Sequence, residues 1–276
     1  AVDCGTQKIH GQVLVGADGA RSTIRSLFHF TKPAEYLEGI GAEVKGVHLQ
    51  PHTVLIFTGS TIAPGFFAWV IPTNRQGTQA RIGLCKNKGS CLKLQECYTA
   101  LLHTPVLDGA EILYRHGGLV PLGAVDPCVQ SRVMLVGDAA AQVKPTSGGG
   151  IVTGLLCARQ CARTINEAFA KQSVSPRNLL WYQTRWKRVV GRELAWGMAF
   201  RRVYRRISDM QLESLFKELR KPAVTAAITR NGDIDYPSRL LFPVLAAAPQ
   251  LAVKVPRFLL TKRSYRLRDE GGEGGT

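Results

Sequence analysis

The sequence lacks a hydrophobic run long enough to cross a membrane. No uninterrupted apolar stretch in its 276 residues reaches the ~18 residues that a spanning helix needs, and its first residues lack the basic-then-apolar order of a signal peptide. The nearest candidate, residues 240–260, contains three prolines and two basic side chains, which predicts short packed helices instead. We therefore expect a cytoplasmic protein, with a peripheral position on a membrane as the open alternative.

Metal-binding and disulfide patterns are also missing. The seven cysteines are an odd number and include no Cys-x-x-Cys pair. Such a set predicts reduced, buried thiols and no metal site.

Acidic residues are scarce relative to basic ones. The sequence has 36 lysines and arginines against 20 aspartates and glutamates, which gives a formal charge of +16. This excess favours an anionic partner, such as nucleic acid, a phospholipid surface or a phosphate-rich ligand. Because no base-stacking aromatic cluster and no nucleic-acid-binding module is visible, we expect no nucleic-acid partner.

A basic stretch between residues 181 and 206 is compatible with an anionic membrane surface. Helical spacing predicts one apolar side and one basic side. The apolar side is predicted to contain Trp186, Val189, Trp196, Phe200 and Tyr204. The basic side is predicted to contain Arg185, Arg188, Arg192, Arg202 and Arg206. Each basic residue near anionic lipid contributes about 1 kcal/mol, and a solvated helix face is the alternative.

The order of sequence patterns predicts two α/β pieces separated by a β-rich insertion. Residues 1–30 and 126–172 each predict a strand, a turn rich in glycine and a helix. Residues 31–125 contain short β-branched and aromatic runs typical of an antiparallel sheet. Residues 173–268 are predicted to be helical, and residues 269–276 have a composition typical of disorder. The fold class is therefore α/β, or α+β overall.

The first turn, in the sequence GADGARSTIR, has residues suited to a cofactor. Gly16, Asp18 and Gly19 stand where a strand ends and a helix begins that Ser22 can cap. Glycine lets the backbone approach a ligand, helix N-terminal amides favour phosphate, and Asp18 can accept hydrogen bonds from a ribose or from the backbone. A plain strand-to-helix turn uses the same residue types, so this motif is weak by itself.

The second turn, GDAAAQVKPTSGGGI, is more specific. Its acidic residue can accept hydrogen bonds from a ribityl chain, its alanines leave room for that chain, and its glycines let the backbone lie against a flat ring system. A long helix predicted over about residues 149–170 directs its positive dipole end at the same place, which would stabilise a reduced flavin. The candidate cofactor-binding residues of this turn are Gly137, Asp138, Ala139, Pro145, Gly148, Gly149, Gly150 and Ile151.

Together the two turns resemble the second and third flavin motifs of the glutathione-reductase-type FAD enzymes. That superfamily includes aromatic hydroxylases, flavin-dependent halogenases and geranylgeranyl reductases. The resemblance implies a partial FAD/NAD(P)-binding Rossmann-like domain with an inserted antiparallel β-sheet substrate domain and a C-terminal helical region. The cofactor that it implies is FAD.

A third segment, PGFFAWVIP, is similar to the Pro-x-x-Tyr-x-Trp-x-Phe-Pro element of geranylgeranyl reductases. In that family the element lines the prenyl cavity beside the flavin, and its alternation would place large apolar side chains on one face of a strand. The segment also resembles the Trp-x-Trp-x-Ile-Pro element of flavin halogenases, and an ordinary core strand is a further alternative. The candidate substrate-cavity residues are Phe66, Phe67, Trp69, Ile71 and Pro72.

Two other stretches favour the reductases. QVKPTSGGGI lacks the His and Pro-Pro usual in the hydroxylases, and YQTRWKRVVGRELAWGMAFRRVYRRISD with GDIDYPSRLL is similar to the C-terminal region of archaeal-type geranylgeranyl reductases. The resemblance, which covers nearly the whole chain, implies reduction of carbon-carbon double bonds in prenyl chains of lipids by hydride transfer from reduced flavin. NADPH or ferredoxin is the implied electron donor. A flavin-dependent halogenase or monooxygenase and a non-catalytic prenyl-lipid-binding protein are the alternatives.

Catalytic residues are not identified by the sequence. Cys4, His52 and the glycine-rich loop are candidates for the proton donor on composition alone. The βαβ unit with which the family begins, whose Gly-x-Gly-x-x-Gly holds the FAD pyrophosphate, is not in the sequence. We therefore expect a chain truncated at its N-terminus that binds FAD poorly and is inactive by itself.

Overall fold

The structure is a computed structural model that describes residues 2–3 and 5–252. The segment predicted to be disordered, 269–276, and the proton-donor candidate Cys4 lie outside the described residues. The strands are β1 Val2–Asp3, β2 Lys8–Ile9, β3 Leu14–Gly16, β4 Glu35–Lys45, β5 Leu55–Thr58, β6 Phe67–Pro72, β7 Gln79–Asn87, β8 Glu111–Leu122, β9 Val129–Gln130 and β10 Val133–Leu135. The α-helices are α1 Thr23–Leu27, α2 Leu94–Leu102, α3 Ile151–Ala170, α4 Pro176–Leu179, α5 Trp181–Trp186, α6 Arg192–Tyr204, α7 Asp209–Leu219, α8 Pro222–Asn231 and α9 Leu241–Ala247.

A small three-stranded sheet brings the two strand-to-helix turns together. Its order is β3-β10-β9, with β3 and β10 parallel and Gly16 paired with Leu135. Because parallel strands end at the same edge of a sheet, the turns that follow β3 and β10 lie at one edge. The strands share a hydrophobic core with α3 and α5, which includes Val133, Met134, Leu135, Cys157, Cys161, Tyr182 and Trp186.

Helix α3 begins two residues later than predicted. Gly148 has a φ of +71°, a left-handed conformation that ends any α-helical continuation toward the N-terminus. Gly150 is the N-cap, and the first helical residue is Ile151. The glycines therefore form the loop before the helix and not its first turn.

A larger antiparallel sheet of five strands has the order β5-β6-β7-β4-β8. One side of it, which we call the covered face, packs against α2. The covered face and α2 together bury Ala42, Val44, Ala68, Val70, Ile82, Leu84, Cys97, Tyr98 and Leu101. The other side, which we call the open face, carries Leu37, Phe67, Trp69 and Cys85 and meets Val143 of the loop between β10 and α3.

Helices α5 and α6 are joined by a π-helical turn, Lys187–Gly191. A π turn adds one residue to the helical phase, so side chains on its two sides do not share the face that α-helical spacing predicts. Trp186 is buried, whereas Trp196 and Phe200 are exposed and Arg201 is buried. The single apolar side predicted between residues 181 and 206 is therefore wrong.

Helices α7, α8 and α9 surround a small core of their own, in which Val224, Ala248 and Leu251 are buried. Across the described ranges, 2–3 and 5–252, none of the helices combines the length and the apolar character that crossing a bilayer requires.

Candidate functional site

The two strand-to-helix turns lie side by side and are joined by a buried arginine. The amide of Val136 donates a hydrogen bond of 2.9 Å to the Gly16 carbonyl. Arg25 of α1 is only 5% exposed, and its guanidinium donates to the carbonyls of Ala139 and Ala20 at 2.8 and 2.7 Å. One side chain therefore holds both turns in a fixed relation.

Asp18 accepts hydrogen bonds at the start of helix α1, whose N-cap is Ser22 as the sequence predicts. Its carboxylate accepts hydrogen bonds from the Ser22 hydroxyl at 2.6 Å and from the amides of Thr23 and Ile24 at 2.7 and 3.1 Å. Desolvation raises the pKa of Asp18, but these hydrogen bonds outweigh it and hold the pKa below its ordinary value. Of the two roles that the sequence left open, hydrogen bonding to the backbone is the one observed.

The glycines of the two turns have different surroundings. A Cβ at Gly16 would lie 2.8 Å from side-chain atoms of Ile24 and Leu135, so the missing side chain lets α1 pack closely on the small sheet. A Cβ at Gly19 or at Gly137 would meet no heavy atom within 4 Å. The backbone at these two positions is therefore accessible to a ligand.

A buried glutamine secures the start of the glycine-rich loop. Gln142 is fully buried, and its side-chain oxygen accepts a hydrogen bond of 2.9 Å from the Gly137 amide. Its side-chain nitrogen donates to the Tyr182 hydroxyl at 3.0 Å, and that hydroxyl donates to the Leu135 carbonyl at 3.0 Å. Desolvation raises the pKa of Tyr182, so the hydroxyl keeps its proton and remains a donor.

Asp138 lies beside the start of helix α3. A Cβ at Gly150 would come within 2.9 Å of its Oδ1 atom, so glycine leaves the space that this carboxylate occupies. Desolvation raises the pKa of Asp138 above its ordinary value. A half-buried carboxylate at the positive end of a helix is well placed to accept hydrogen bonds from the hydroxyls of a ligand.

Lys144 connects the same loop to the C-terminal region. It is 8% exposed, and its Nζ atom lies 2.5 Å from Oδ1 of Asp235 and 3.3 Å from the Ile234 carbonyl oxygen. A Cβ at Gly149 would approach its Cε atom to 3.0 Å, so the loop backbone rests on the lysine stem. Because Asp235 neutralises the ammonium, the start of α3 supplies the positive potential at the loop.

The remaining candidate cofactor residues differ in exposure. Ala139 is fully buried. Pro145 packs against α6, since a Cβ at Gly197 would lie 2.8 Å from its ring. Ile151 is 81% exposed in the first turn of α3, so its side chain is accessible.

The apolar strand β6 alternates as its sequence predicts. Phe67 and Trp69 lie on the open face, where they pack against Leu37 and Cys85. Ala68 and Val70 lie between them and are fully buried on the covered face. Ile71, the next residue on the open face, is 37% exposed. Large apolar side chains are thus presented on one side of the strand.

Phe66 connects this strand with the glycine-rich loop. A Cβ at Gly148 would lie 3.5 Å from the Phe66 ring, and that ring stacks on Phe67 with centroids 4.5 Å apart. Phe67 meets Trp69 edge-on at 5.9 Å. Candidate cofactor and cavity residues are therefore in contact, while Pro72 lies at the end of β6 farther from the loop.

A second buried arginine anchors the aromatic strand from α6. Arg201 is 2% exposed, and its Nε atom lies 2.6 Å from Glu35 while its NH1 group donates to the Gly65 carbonyl at 3.0 Å. Its guanidinium lies 5.3 Å from the centroid of the Phe66 ring. The Tyr204 hydroxyl donates to the Phe66 carbonyl at 2.7 Å. These contacts hold Phe66 from its ring side and from its backbone.

Sequence reasoning did not identify Arg25, Lys144 or Arg201 as site residues. For Arg201 a signal was present, because it stands seven residues after the buried Leu194 and therefore on the same side of α6. His52, the described candidate for the proton donor, lies in an exposed turn between β4 and β5. That turn is at the end of the sheet away from the glycine-rich loop, so the structure does not bring His52 to the site.

The fold, with its paired strand-to-helix turns, is similar to the folds of several solved enzymes. The chain is similar to the crystal structure of a geranylgeranyl bacteriochlorophyll reductase-like protein from Thermoplasma acidophilum, with a TM-score of 0.76 and 19% identity over 90% of this chain and 62% of that chain. It also resembles p-nitrophenol 4-monooxygenase from Pseudomonas putida (TM-score 0.55, 20% identity, 83% of this chain and 59% of that chain). A flavin-dependent halogenase is similar too (TM-score 0.57, 16% identity, 87% and 50%). The predicted fold class is confirmed.

In sequence the chain is similar to archaeal lipid reductases. It is 29% identical over 219 residues to digeranylgeranylglycerophospholipid reductase 2 of Methanothermobacter thermautotrophicus, which covers 78% of this chain and 56% of the relative. The identity to reductase 1 of Methanococcoides burtonii is 27% over 213 residues, or 76% and 52% of the two chains. An uncharacterised protein of Methanocaldococcus jannaschii is 27% identical over 241 residues, or 86% and 61%.

The predicted resemblance to the geranylgeranyl reductases among the FAD-dependent oxidoreductases is confirmed by these relatives. No protein-family model matches the chain. The chain spans little more than half the length of the curated relatives that it matches.

Proposed function

We propose that this protein reduces carbon-carbon double bonds in the prenyl chains of lipids, with FAD as its cofactor. The contact between Phe66 and Gly148 carries this proposal, because it sets an aromatic strand directly against the glycine-rich loop that resembles the third flavin motif. The names of the archaeal relatives support the same class of substrate.

The residues around the start of α3 fit FAD. Asp138, which lies beside Gly150, would accept hydrogen bonds from the ribityl hydroxyls, and the backbone of residues 145–150 would lie against the flat ring system. Gly19 and Gly137 leave both turns accessible. The positive end of the α3 dipole favours the negative charge of a reduced flavin.

The open face supplies the environment that reduction of an isolated double bond requires. Reduced FAD, when bound, supplies the hydride for one carbon of the double bond. A proton adds to the other carbon, and positive charge develops on the carbon that accepts the hydride. Phe67 and Trp69 would keep water from this side of the sheet, and their ring faces would stabilise that positive charge. Arg201 and Tyr204 position Phe66 and, through it, the strand. NADPH or ferredoxin completes the reaction as the electron donor.

A cytoplasmic location with a peripheral position on an anionic membrane is part of the proposal. Trp196 and Phe200 of α6 are exposed, and so are Arg188, Arg192 and Arg202 in the same helical segment. Aromatic side chains favour the interface between lipid and water, and basic side chains favour anionic headgroups by about 1 kcal/mol each. Such a position would give the site access to a lipid substrate.

The test is an anaerobic assay of the whole gene product with chemically reduced FAD and a geranylgeranylated phospholipid, followed by mass spectrometry of the lipid. We expect the mass to increase by pairs of hydrogen atoms. A lipid that changes only when oxygen or halide is supplied would establish a monooxygenase or halogenase instead. Lipid that binds without consuming electrons under any of these conditions would establish a non-catalytic prenyl-lipid-binding protein.

A further inference from the structure

The open face carries a second pair of rings, on the edge strand opposite Trp69. Tyr114 and His116 project from β8 and stack on one another, with centroids 6.0 Å apart and an angle of 24° between the ring planes. Both side chains are exposed. Neither belongs to a flavin motif or to the PGFFAWVIP segment.

The strand register places these rings beside Trp69. Trp69 pairs with Gly83, Gly83 with Gly41, and Gly41 with His116, so the four residues form one row across β6, β7, β4 and β8. A Cβ at Gly83 would lie 2.5 Å from the Trp69 ring. A Cβ at Gly41 would lie 2.5 Å from Nε2 of His116. The two rings therefore lie over neighbouring glycines and face the same side of the sheet.

These rings lie on the same face of the sheet as the candidate site. Phe66 against the glycine-rich loop is followed by Phe67 and Trp69 on β6. His116, which stacks on Tyr114, follows Trp69 in the same row, over the next glycine. With strands about 4.8 Å apart, β6 and β8 are separated by roughly 14 Å. A long apolar chain held at the loop has room to extend over this distance.

A charged pair limits the surface at its far side. Tyr114 pairs with Glu43, and Glu43 with Arg81, in the next row of the sheet. The Arg81 guanidinium lies 2.9 Å from the Glu43 carboxylate, and both side chains are exposed. An apolar ligand gains nothing by extending over this ion pair, so the aromatic surface ends there.

We propose that Tyr114 and His116 are specificity-determining residues that bind the distal isoprene units of a long prenyl chain. This inference rests on the proposed function and adds to it a preference for chain length. Short prenyl chains, held at the loop by Phe67 and Trp69, do not reach β8 and gain nothing from the pair.

The experiment is fluorescence anisotropy of geraniol, farnesol and geranylgeraniol that carry the same fluorophore, titrated with the full chain. We expect Tyr114→Ala and His116→Ala each to weaken binding of the longest probe by about tenfold and to leave the geraniol probe unchanged within about twofold. His116→Phe keeps the ring and is expected to keep the affinity. Arg115→Ala is the matched control, because Arg115 stands on the same strand and contacts Tyr98 on the covered face.

Two results would overturn the inference and leave the proposed function standing. One is unchanged binding of the longest probe by the Tyr114→Ala, His116→Ala double variant while Trp69→Ala still weakens all three probes. The other is an equal loss for all three probes in the double variant with thermal unfolding like that of the parent. If the parent binds no prenyl probe more tightly than a straight-chain alcohol of the same length, the proposed function fails and the inference fails with it.

Discussion

The two faces of the five-stranded sheet differ in what their side chains leave accessible. On the covered face, Ile82 and Leu84 are buried completely against α2 and neighbouring strands. On the open face, Trp69 and His116 lie over glycines and remain partly exposed. A densely packed face has no room for a ligand, whereas exposed rings supported by glycine present apolar surface to one. We therefore expect stability to depend mainly on the covered face and binding on the open face.

The largest expected effect concerns the buried ion pair of Arg201 with Glu35, which joins α6 to the first residue of β4 and belongs to neither face of the comparison. Arg201→Met leaves Glu35 without its closest guanidinium, and breaking such a buried pair costs about 3–5 kcal/mol of unfolding free energy. Urea denaturation measures the loss. Arg205→Met is the control, because Arg205 contacts the same carboxylate at 3.0 Å from an exposed position and is expected to cost less than about 1 kcal/mol. Equal losses of unfolding free energy in the two variants would contradict the expectation that the buried Arg201 contributes more than the exposed Arg205.

A substitution on each face separates stability from binding. Leu84→Ala removes a fully buried side chain and is expected to cost about 2–5 kcal/mol by urea denaturation. Trp69→Ala removes a half-buried ring and is expected to cost less, roughly 1–2 kcal/mol, while binding of all prenyl probes falls about tenfold. Leu84→Met, which conserves volume, is the control for the first variant. If Trp69→Ala lost stability but kept its affinity for the prenyl probes, the Trp69 ring would serve packing and not binding.

Substituting alanine for a glycine beneath a ring tests whether the rings of the open face pack directly on the sheet backbone. In Gly83→Ala the new methyl group would meet the Trp69 ring at 2.5 Å and the Ile40 carbonyl oxygen at 2.9 Å, so we expect a loss of about 1–3 kcal/mol. Gly118→Ala is the matched control on the same face, since its Cβ would meet nothing within 4 Å. Thermal unfolding compares the two. Equal stability of both variants would show that the ring does not rest on Gly83.

The smallest effect concerns cysteine reactivity. Cys85 is buried on the open face, and desolvation raises its pKa to about 11, so roughly one thiol in a hundred is ionised at pH 9. Its alkylation should therefore be slow at that pH and accelerate as the pH approaches 11. Phe67→Ala exposes Cys85 and should speed its alkylation about tenfold, as followed by peptide mass spectrometry. Cys97, buried on the covered face, is the internal control, and faster labelling of both thiols would indicate general loosening.

Local patterns were sufficient for much of the fold. The turns after β3 and β10 and the alternation of β6 depend on neighbouring residues, and the sequence predicted them for that reason. The hydrogen bond from Arg25 to Ala139 and the ion pair of Arg201 with Glu35 join residues 114 and 166 positions apart. No local pattern contains that information.

The rest of the site depended on register and helical phase. The position of His116 beside Trp69 follows from the pairing of β6, β7, β4 and β8. The order of these strands in the sheet is not their order in the sequence, and helix α2 lies between β7 and β8. Regular α-helical spacing does not reveal the π turn before α6. For that reason the exposed Trp196 was predicted to share one side of the helix with Trp186, which is buried.

That π turn, Lys187–Gly191, joins α5 and α6 into one continuous helical segment whose two halves contact different sheets. Before the turn, Trp186 is set into the core of the small sheet. After it, Arg201 forms an ion pair with Glu35, the first residue of β4 in the large sheet. The same helical segment therefore contacts both sheets, through residues on either side of the π turn. Removing a single residue from the turn would bring the helix back to regular α phase, but one of the two attachments would then be lost.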